Sequence, residues 1–181
     1  MPTPSTPTPS ETDHIDRFLA ELDGPAMDLT VEGIVDRIVG LSRRLRRSMD
    51  ETLEGFGLTW GEWKLLCTLR NQGEGYRLSP GDLSQKMELS SGAMTNRLDR
   101  LEEGGFVRRT PNPDDRRGLL IELTEEGHRV WHDSVGAQAE KEALIAAAAL
   151  DETEREQLNS HLRRLMLAFE RTEAAPEHVD L

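Results

Sequence analysis

At 181 residues, 36% hydrophobic and only 4% aromatic, the chain fits one domain whose core must be mainly Leu, Ile, Val, Met and Ala. A single cysteine excludes an intramolecular disulfide framework, and no apolar run approaches the ~20 residues of a membrane-spanning helix. The start, Met1-Pro2-Thr3-Pro4, has neither a basic nor an apolar leader region, so no signal peptide is expected and the chain reads as cytoplasmic.

Residues 1–10 alternate Pro with Thr and Ser and read as a disordered tail. Residues 11–57 read as N-terminal helices. Ile15, Phe18, Leu19 and Leu22 give a short amphipathic helix that Gly24-Pro25 breaks. From about Leu29 a long helix follows, with Ile34, Ile38, Leu41, Leu45 and Met49 on one stripe. Its polar side carries Arg43, Arg44, Arg46 and Arg47, which read as a solvated face in preference to a phosphate-contacting one. Thr59-Trp60-Gly61-Glu62 is a capping box that opens the next helix, followed by Trp63, Leu66, Cys67 and Arg70.

The stretch from Ser79 to Thr124 reads as a winged helix-turn-helix inside a unit spanning residues 58–124. Ser79-Pro80-Gly81-Asp82 supplies an N-cap hydroxyl, a proline at the first helical position and a first-turn carboxylate. Leu83 and Met87 face one side of that short helix, and Glu88-Leu89 is the turn. Ser90, Ser91 and Gly92 start a second helix on which Met94, Leu98 and Leu101 recur at i, i+4, i+7. Ala93, Thr95, Asn96, Arg97 and Arg100 lie off that stripe. Gly104-Gly105 stops the helix. Residues 106–109 and 118–123 are strand-like, and Pro111 to Arg117 forms the tip of the β-wing between them.

Residues 125–172 read as C-terminal helices. Thr124 caps the first, with Glu125 and Glu126 in its opening turn, and it runs to Leu150. Asp151 to Glu154 forms another capping box, and Leu158, Leu162, Leu165 and Phe169 make the last stripe. Residues 173–181 form a tail. The terminal helices carry more apolar stripe than a lobe of this size can bury, so a homodimer through them is expected. The fold class is therefore mainly α with a small β-wing, a winged helix-turn-helix between long dimerisation helices.

Such a unit suits double-stranded DNA. A recognition helix presents small polar and amide side chains to base edges, and a basic wing tip reaches the neighbouring minor groove. A net charge of −12 argues the other way, but its distribution answers the objection. Residues 1–36 carry one basic and eight acidic side chains, residues 37–118 fifteen and twelve, and residues 119–181 six and fourteen. The acid lies outside the motif, and charge interactions are screened over ~10 Å at 0.1 M salt.

The run from Leu89 to Glu102, followed by Asp115-Arg116-Arg117 and Leu123-Thr124, resembles the MarR family of bacterial transcriptional regulators. The resemblance extends over about residues 58 to 127, and the flanking helices match in pattern only. It implies a winged helix-turn-helix dimer in which Arg117 is the minor-groove arginine and Asp115 holds its guanidinium. It also implies a DNA-contacting set of Ser79, Ser90, Ser91, Gly92, Ala93, Thr95, Asn96, Arg97, Arg100, Asp115, Arg116 and Arg117. A phenolic or other anionic effector is expected in a pocket bordered by Trp63, Lys64 and Trp131. The urate-responsive branch is a poor match, since its pocket Trp and Asp are replaced by Leu19 and Lys64, although Arg97 survives.

No nucleophile–base pair, phosphate loop or cysteine cluster supports an enzyme, and no cofactor or metal is expected. His128 and His132 stand four apart, which is half a metal site, and read as exposed helical histidines. Cys67 reads as a small buried hydrophobe. Two alternatives to a ligand-released repressor remain: an architectural or protein-interaction dimer, and a metal- or thiol-sensing regulator.

Overall fold

A computed structural model describes residues 12–22, 27–73, 75–113, 115 and 118–174. The Pro/Thr-rich start, the Gly24-Pro25 break and the wing-tip residues Asp114, Arg116 and Arg117 lie outside them. In chain order the elements are α1 (His14–Glu21), α2 (Leu29–Glu54), α3 (Trp60–Arg70), β1 (Arg77–Leu78), α4 (Pro80–Met87), α5 (Ser91–Glu103), β2 (Val107–Pro111), β3 (Leu119–Leu123), α6 (Glu125–Ala149) and α7 (Glu152–Ala174). This is a winged helix-turn-helix between long terminal helices, and no helix among the described residues is long and apolar enough to cross a membrane.

Local signals set the helix boundaries. The Ser79 hydroxyl accepts from Asp82 N at 3.1 Å, with Pro80 opening α4. The α4–α5 turn passes through Glu88, held at φ 55°, a left-handed conformation unusual for a residue with a Cβ. Leu89 N donates to Ser84 O at 2.9 Å and closes that turn. At the end of α5, Phe106 N bonds Leu101 O and Gly105 N bonds Glu102 O, both at 2.9 Å, with Gly105 at φ 73°. That pairing is a Schellman stop, which glycine adopts without a Cβ penalty.

The sheet is antiparallel in the order β1-β3-β2, with Val107 opposite Leu123 and Arg109 opposite Ile121. Strand β1 was not visible in the sequence; two residues are too few for an alternating pattern. The core lies under α3, α4, α5 and this sheet, where Leu65, Leu66, Leu69, Leu83 and Ile121 are fully buried. Thr124 joins sheet to helix. Its hydroxyl donates to Gly105 O at 2.7 Å while accepting from Gly127 N, so it caps α6 and ties it to the end of α5. The seam is tight, since a Cβ at Gly127 would lie 2.0 Å from Phe106 O.

The terminal helices are different. On α2, Ile34, Ile38, Leu41 and Leu45 are each at least 40% exposed, and only Met49 of that stripe is buried. Every described residue from Asp151 to Glu173 is exposed, including Leu158, Leu162, Leu165 and Phe169.

Candidate nucleic-acid interface

The hydrophobic stripe of α5 anchors it. Met94, Leu98 and Leu101 are at most 2% exposed, which fixes the helix about its own axis. Ser91, Gly92, Ala93, Thr95 and Asn96 are consequently exposed together on its N-terminal half. Ser90 caps the helix by accepting from Ala93 N at 3.4 Å, and no acidic residue occupies the first turn. The helix start therefore offers N–H groups and partial positive charge without a competing carboxylate. Thr95 donates its hydroxyl to Ser91 O at 2.9 Å, which leaves its oxygen lone pairs and its methyl facing outward.

Arg97 and Arg100 share the helix but turn toward α3. The Arg97 guanidinium lies against Gly61, where a Cβ would come within 2.6 Å of it. Arg100 Nε pairs with Glu62 Oε1 at 3.0 Å. The other oxygen of this buried carboxylate receives Thr59 N at 2.7 Å, completing the α3 capping box. One carboxylate thus caps α3 and holds α5. Both arginines belong to the DNA-contacting set that the family resemblance implies; their intramolecular partners are remote in sequence and leave no spacing signal.

Arg109 on β2 was missed for the same reason. Its guanidinium pairs with Asp99 at 2.6 Å and also with Glu102, and its backbone N donates to Glu102 at 3.2 Å. These bonds raise its pKa, Asp99 contributing most, and lock the wing strand onto the recognition helix. Within the wing, Arg108 pairs across the strands with Glu122 at 2.9 Å. Asp115 is described, with its carbonyl accepting from Gly118 N at 2.9 Å. Arg116 and Arg117 fall outside the described residues, and with them the expected Asp115–Arg117 contact. Ser79, the α4 cap, is half-buried beside this surface.

The expected effector pocket is differently walled. A cleft of about 790 Å³ lies between α2, α3, α6 and α7, lined by Trp60, Trp63, Leu45, Met49, Gln138 and Leu162 among others. Trp63 belongs to it, but Lys64 and Trp131 do not. Lys64 is exposed, and Trp131 on α6 donates its indole N–H to Cys67 Sγ at 3.2 Å, one turn of α3 beyond Trp63. Trp60 and Trp63 stack with centroids 5.1 Å apart, and Arg46 covers Trp60 at 4.2 Å while pairing with Asp50. Arg46 is therefore not part of a purely solvated face. Under the cleft Thr52 donates to Gln138 Oε1 at 2.9 Å, and Lys141 donates to Thr52 at 2.8 Å.

Burial pushes the Cys67 thiol up, against the weaker effect of the Trp131 hydrogen bond, which favours the unreactive protonated form. His128 is half-buried, contrary to the expected pair of exposed histidines, and only His132 is exposed. Among the described residues, no three His, Cys, Asp or Glu side chains converge to hold a metal ion.

With this geometry stands a set of relatives. A family model described as "MarR family" matches residues 58–119. The HTH-type transcriptional regulator PecS of Dickeya dadantii is 30% identical over 142 residues, covering 78% of this chain and 82% of PecS. The crystal structure of YusO from Bacillus subtilis superposes with a TM-score of 0.66 at 26% identity, covering 80% of this chain and 99% of that one. A mutant of S. aureus MepR bound to an oligodeoxyribonucleotide shares the fold, with a TM-score of 0.59 at 22% identity over 76% of this chain and 97% of that one. The chain belongs to the MarR family and is a DNA-binding transcriptional regulator of the winged-helix kind.

Proposed function

We propose that the protein is a homodimeric repressor that binds a pseudo-palindromic operator and is released by a small phenolic or other anionic effector. The observation that carries this reading is the exposed N-terminal half of α5, held rigidly by the buried Met94, Leu98 and Leu101 beneath it. Thr95 and Asn96 read base edges in the major groove, Ser90, Ser91, Gly92 and Ala93 approach the backbone, and Ser79 flanks them. Arg97 and the largely exposed Arg100 stand beside them as further DNA-contacting cations, while their contacts with Gly61 and Glu62 tie α5 to α3. Arg116 and Arg117 supply the wing's minor-groove contact, with Asp115 orienting Arg117.

The unpartnered stripes of α2 and α7 support the dimer, because each leaves large apolar side chains in water. Support for DNA as the ligand comes also from MepR, which shares the fold and was crystallised on an oligodeoxyribonucleotide. The Trp60–Trp63 cleft is the effector site in this reading. It is apolar, and its back wall is the first turn of α3, which also carries Glu62 and so the hold on Arg100. Footprinting on the DNA upstream of the protein's own gene tests the proposal. Protection of two half-sites about one helical turn apart, ~34–36 Å, is expected. A single asymmetric half-site bound by a monomer would overturn it.

A further inference from the structure

We propose that a second cleft, between the end of α3, the approach to β1 and the first turns of α6, binds a small oxyanion, either a carboxylate or a phosphate, on Arg70. This cleft, of about 480 Å³, is separate from the Trp60–Trp63 cleft, shares none of its lining residues, and does not rest on the DNA-binding reading.

Arg70 is the last residue of α3 and is half-buried. Its guanidinium lies over the Trp131 ring at 4.3 Å and stands 5.8 Å from the Tyr76 ring. One Nη1–H donates to His128 Nδ1 at 2.9 Å, which assigns the ring proton of the neutral imidazole to Nε2. Among the described residues no carboxylate reaches ion-pair distance of Arg70, so the remaining N–H donors of its fork have no protein acceptor. Tyr76 packs its ring edge-on to His128 at 4.6 Å, and its hydroxyl likewise has no hydrogen-bond partner among the described residues.

The cleft thus places the remaining donors of the Arg70 fork beside the Tyr76 phenol, with His128 bracing the guanidinium through Nδ1, and a bidentate acceptor is the chemistry that matches a guanidinium fork. The rim also carries two carboxylates, Asp133 and Glu125. Asp133 is engaged by Arg129 at 3.8 Å and His132 at 3.3 Å, Arg129 is held in turn by Glu126, and Glu125 is exposed. The fork is also pre-organised, since Trp131 and His128 fix it before any ligand arrives, which lowers the ordering cost of binding. Burial and the Arg70 charge hold His128 below its ordinary pKa, consistent with a neutral ring that accepts the Arg70 N–H at Nδ1.

The test is a side-chain nitrogen NMR titration of the full chain labelled with ¹⁵N-histidine, using inorganic phosphate and separately acetate, against chloride at constant ionic strength. A saturable shift of the His128 ring nitrogens, with His14 and His161 still, is expected for at least one of the two anions. Phosphate alone, acetate alone or both then assigns the ligand class. Arg70→Gln should weaken binding at least about tenfold. Tyr76→Phe, which keeps the ring against His128, should weaken it several-fold and serves if the arginine variant does not fold. No saturation with either anion overturns the proposal. So does a shift shared equally by His14 and His161, or an affinity unchanged in every variant that folds.

Discussion

Leu98 and Leu162 lie on amphipathic helices of one chain and meet opposite fates. In the lobe built from α3, α4, α5 and the sheet, Leu98 is 2% exposed and Leu65, Leu66, Leu69 and Leu83 are completely covered. Along α7, Leu158, Leu162 and Leu165 keep 41–44% of their surface, and Phe169 keeps 64%. Both helices obey the same periodicity, so pattern alone cannot tell a finished core from an unfinished one. The lobe closes on itself because three helices and a sheet converge on it. Along the arms the neighbouring helices leave these stripes uncovered, and in the proposed dimer a second chain covers them. In the proposed function the labour divides accordingly: a rigid reading head, and arms that set how many heads are presented together.

Removing the arm should have the largest effect. Each of the four α7 stripe residues contributes about 1.5–3 kcal/mol when buried. Truncation before Asp151 should therefore give monomer or aggregate and abolish operator binding, because one head contacts too few bases. Sedimentation velocity with a gel shift decides it. A stable dimer that still binds the full palindrome would place the interface elsewhere.

Gly127→Ala attacks the head instead. The new methyl would meet Phe106 O at 2.0 Å, where backbone on both sides leaves little room to yield. A loss of about 1–3 kcal/mol or more is expected, read as a lower Tm with the dimer intact below it. An unchanged Tm would mean that the α6–β2 seam is looser than its geometry.

Much of the head was legible because its signals are local. The Ser79 and Ser90 caps, the Gly104-Gly105 stop, the Met94–Leu98–Leu101 stripe and the Thr59–Glu62 box each act within a few residues. What escaped is long-range. The partner of Arg100 is thirty-eight positions upstream at Glu62, and Arg70 meets His128 fifty-eight positions downstream. No spacing rule links such pairs. The pocket walls escaped likewise: Trp63 on α3 and Trp131 on α6 both bond across the seam between those helices, and only the packing of the other helices around it decides which one faces the cleft.

Within the reading head, Asn96 and Arg117 should separate specificity from affinity. Asn pairs bidentately with adenine, worth roughly 1–3 kcal/mol of discrimination, so Asn96→Ala should alter the half-site logo obtained by selection. An identical logo would remove Asn96 from base readout. Arg117→Ala should weaken all sites alike and flatten the dependence of binding on salt. An unchanged affinity and salt slope would refute the wing assignment.

The smallest effect, and a direct measure of how independent the two regions are, comes from acid. His128 sits on α6 where it packs against the head, with its pKa below the ordinary value of about 6.5, lowered first by burial and then by Arg70. Asp13 caps α1 with its pKa at about 2 instead of 3.8, chiefly through the Asp16 backbone N–H, with Arg37 adding to it. Both groups are depressed, so the unfolded chain binds more protons than the folded one in each window, and stability falls with falling pH. For His128 the stabilisation is complete above about pH 6.5 and is lost as the pH drops through the folded value. For Asp13 it is complete above 3.8 and lost on approach to about 2. Tryptophan fluorescence, from Trp60, Trp63 and Trp131 packed on its core, reports on the head, and the backbone amide of Ile15, which donates to Asp13 at 2.8 Å, reports on α1. The head should soften first and α1 should detach only in stronger acid. Asp13→Asn keeps an N-cap acceptor and should erase the α1 step alone, and His128→Gln should flatten the earlier one. If both probes moved in a single transition, the arm and the head would be one cooperative unit.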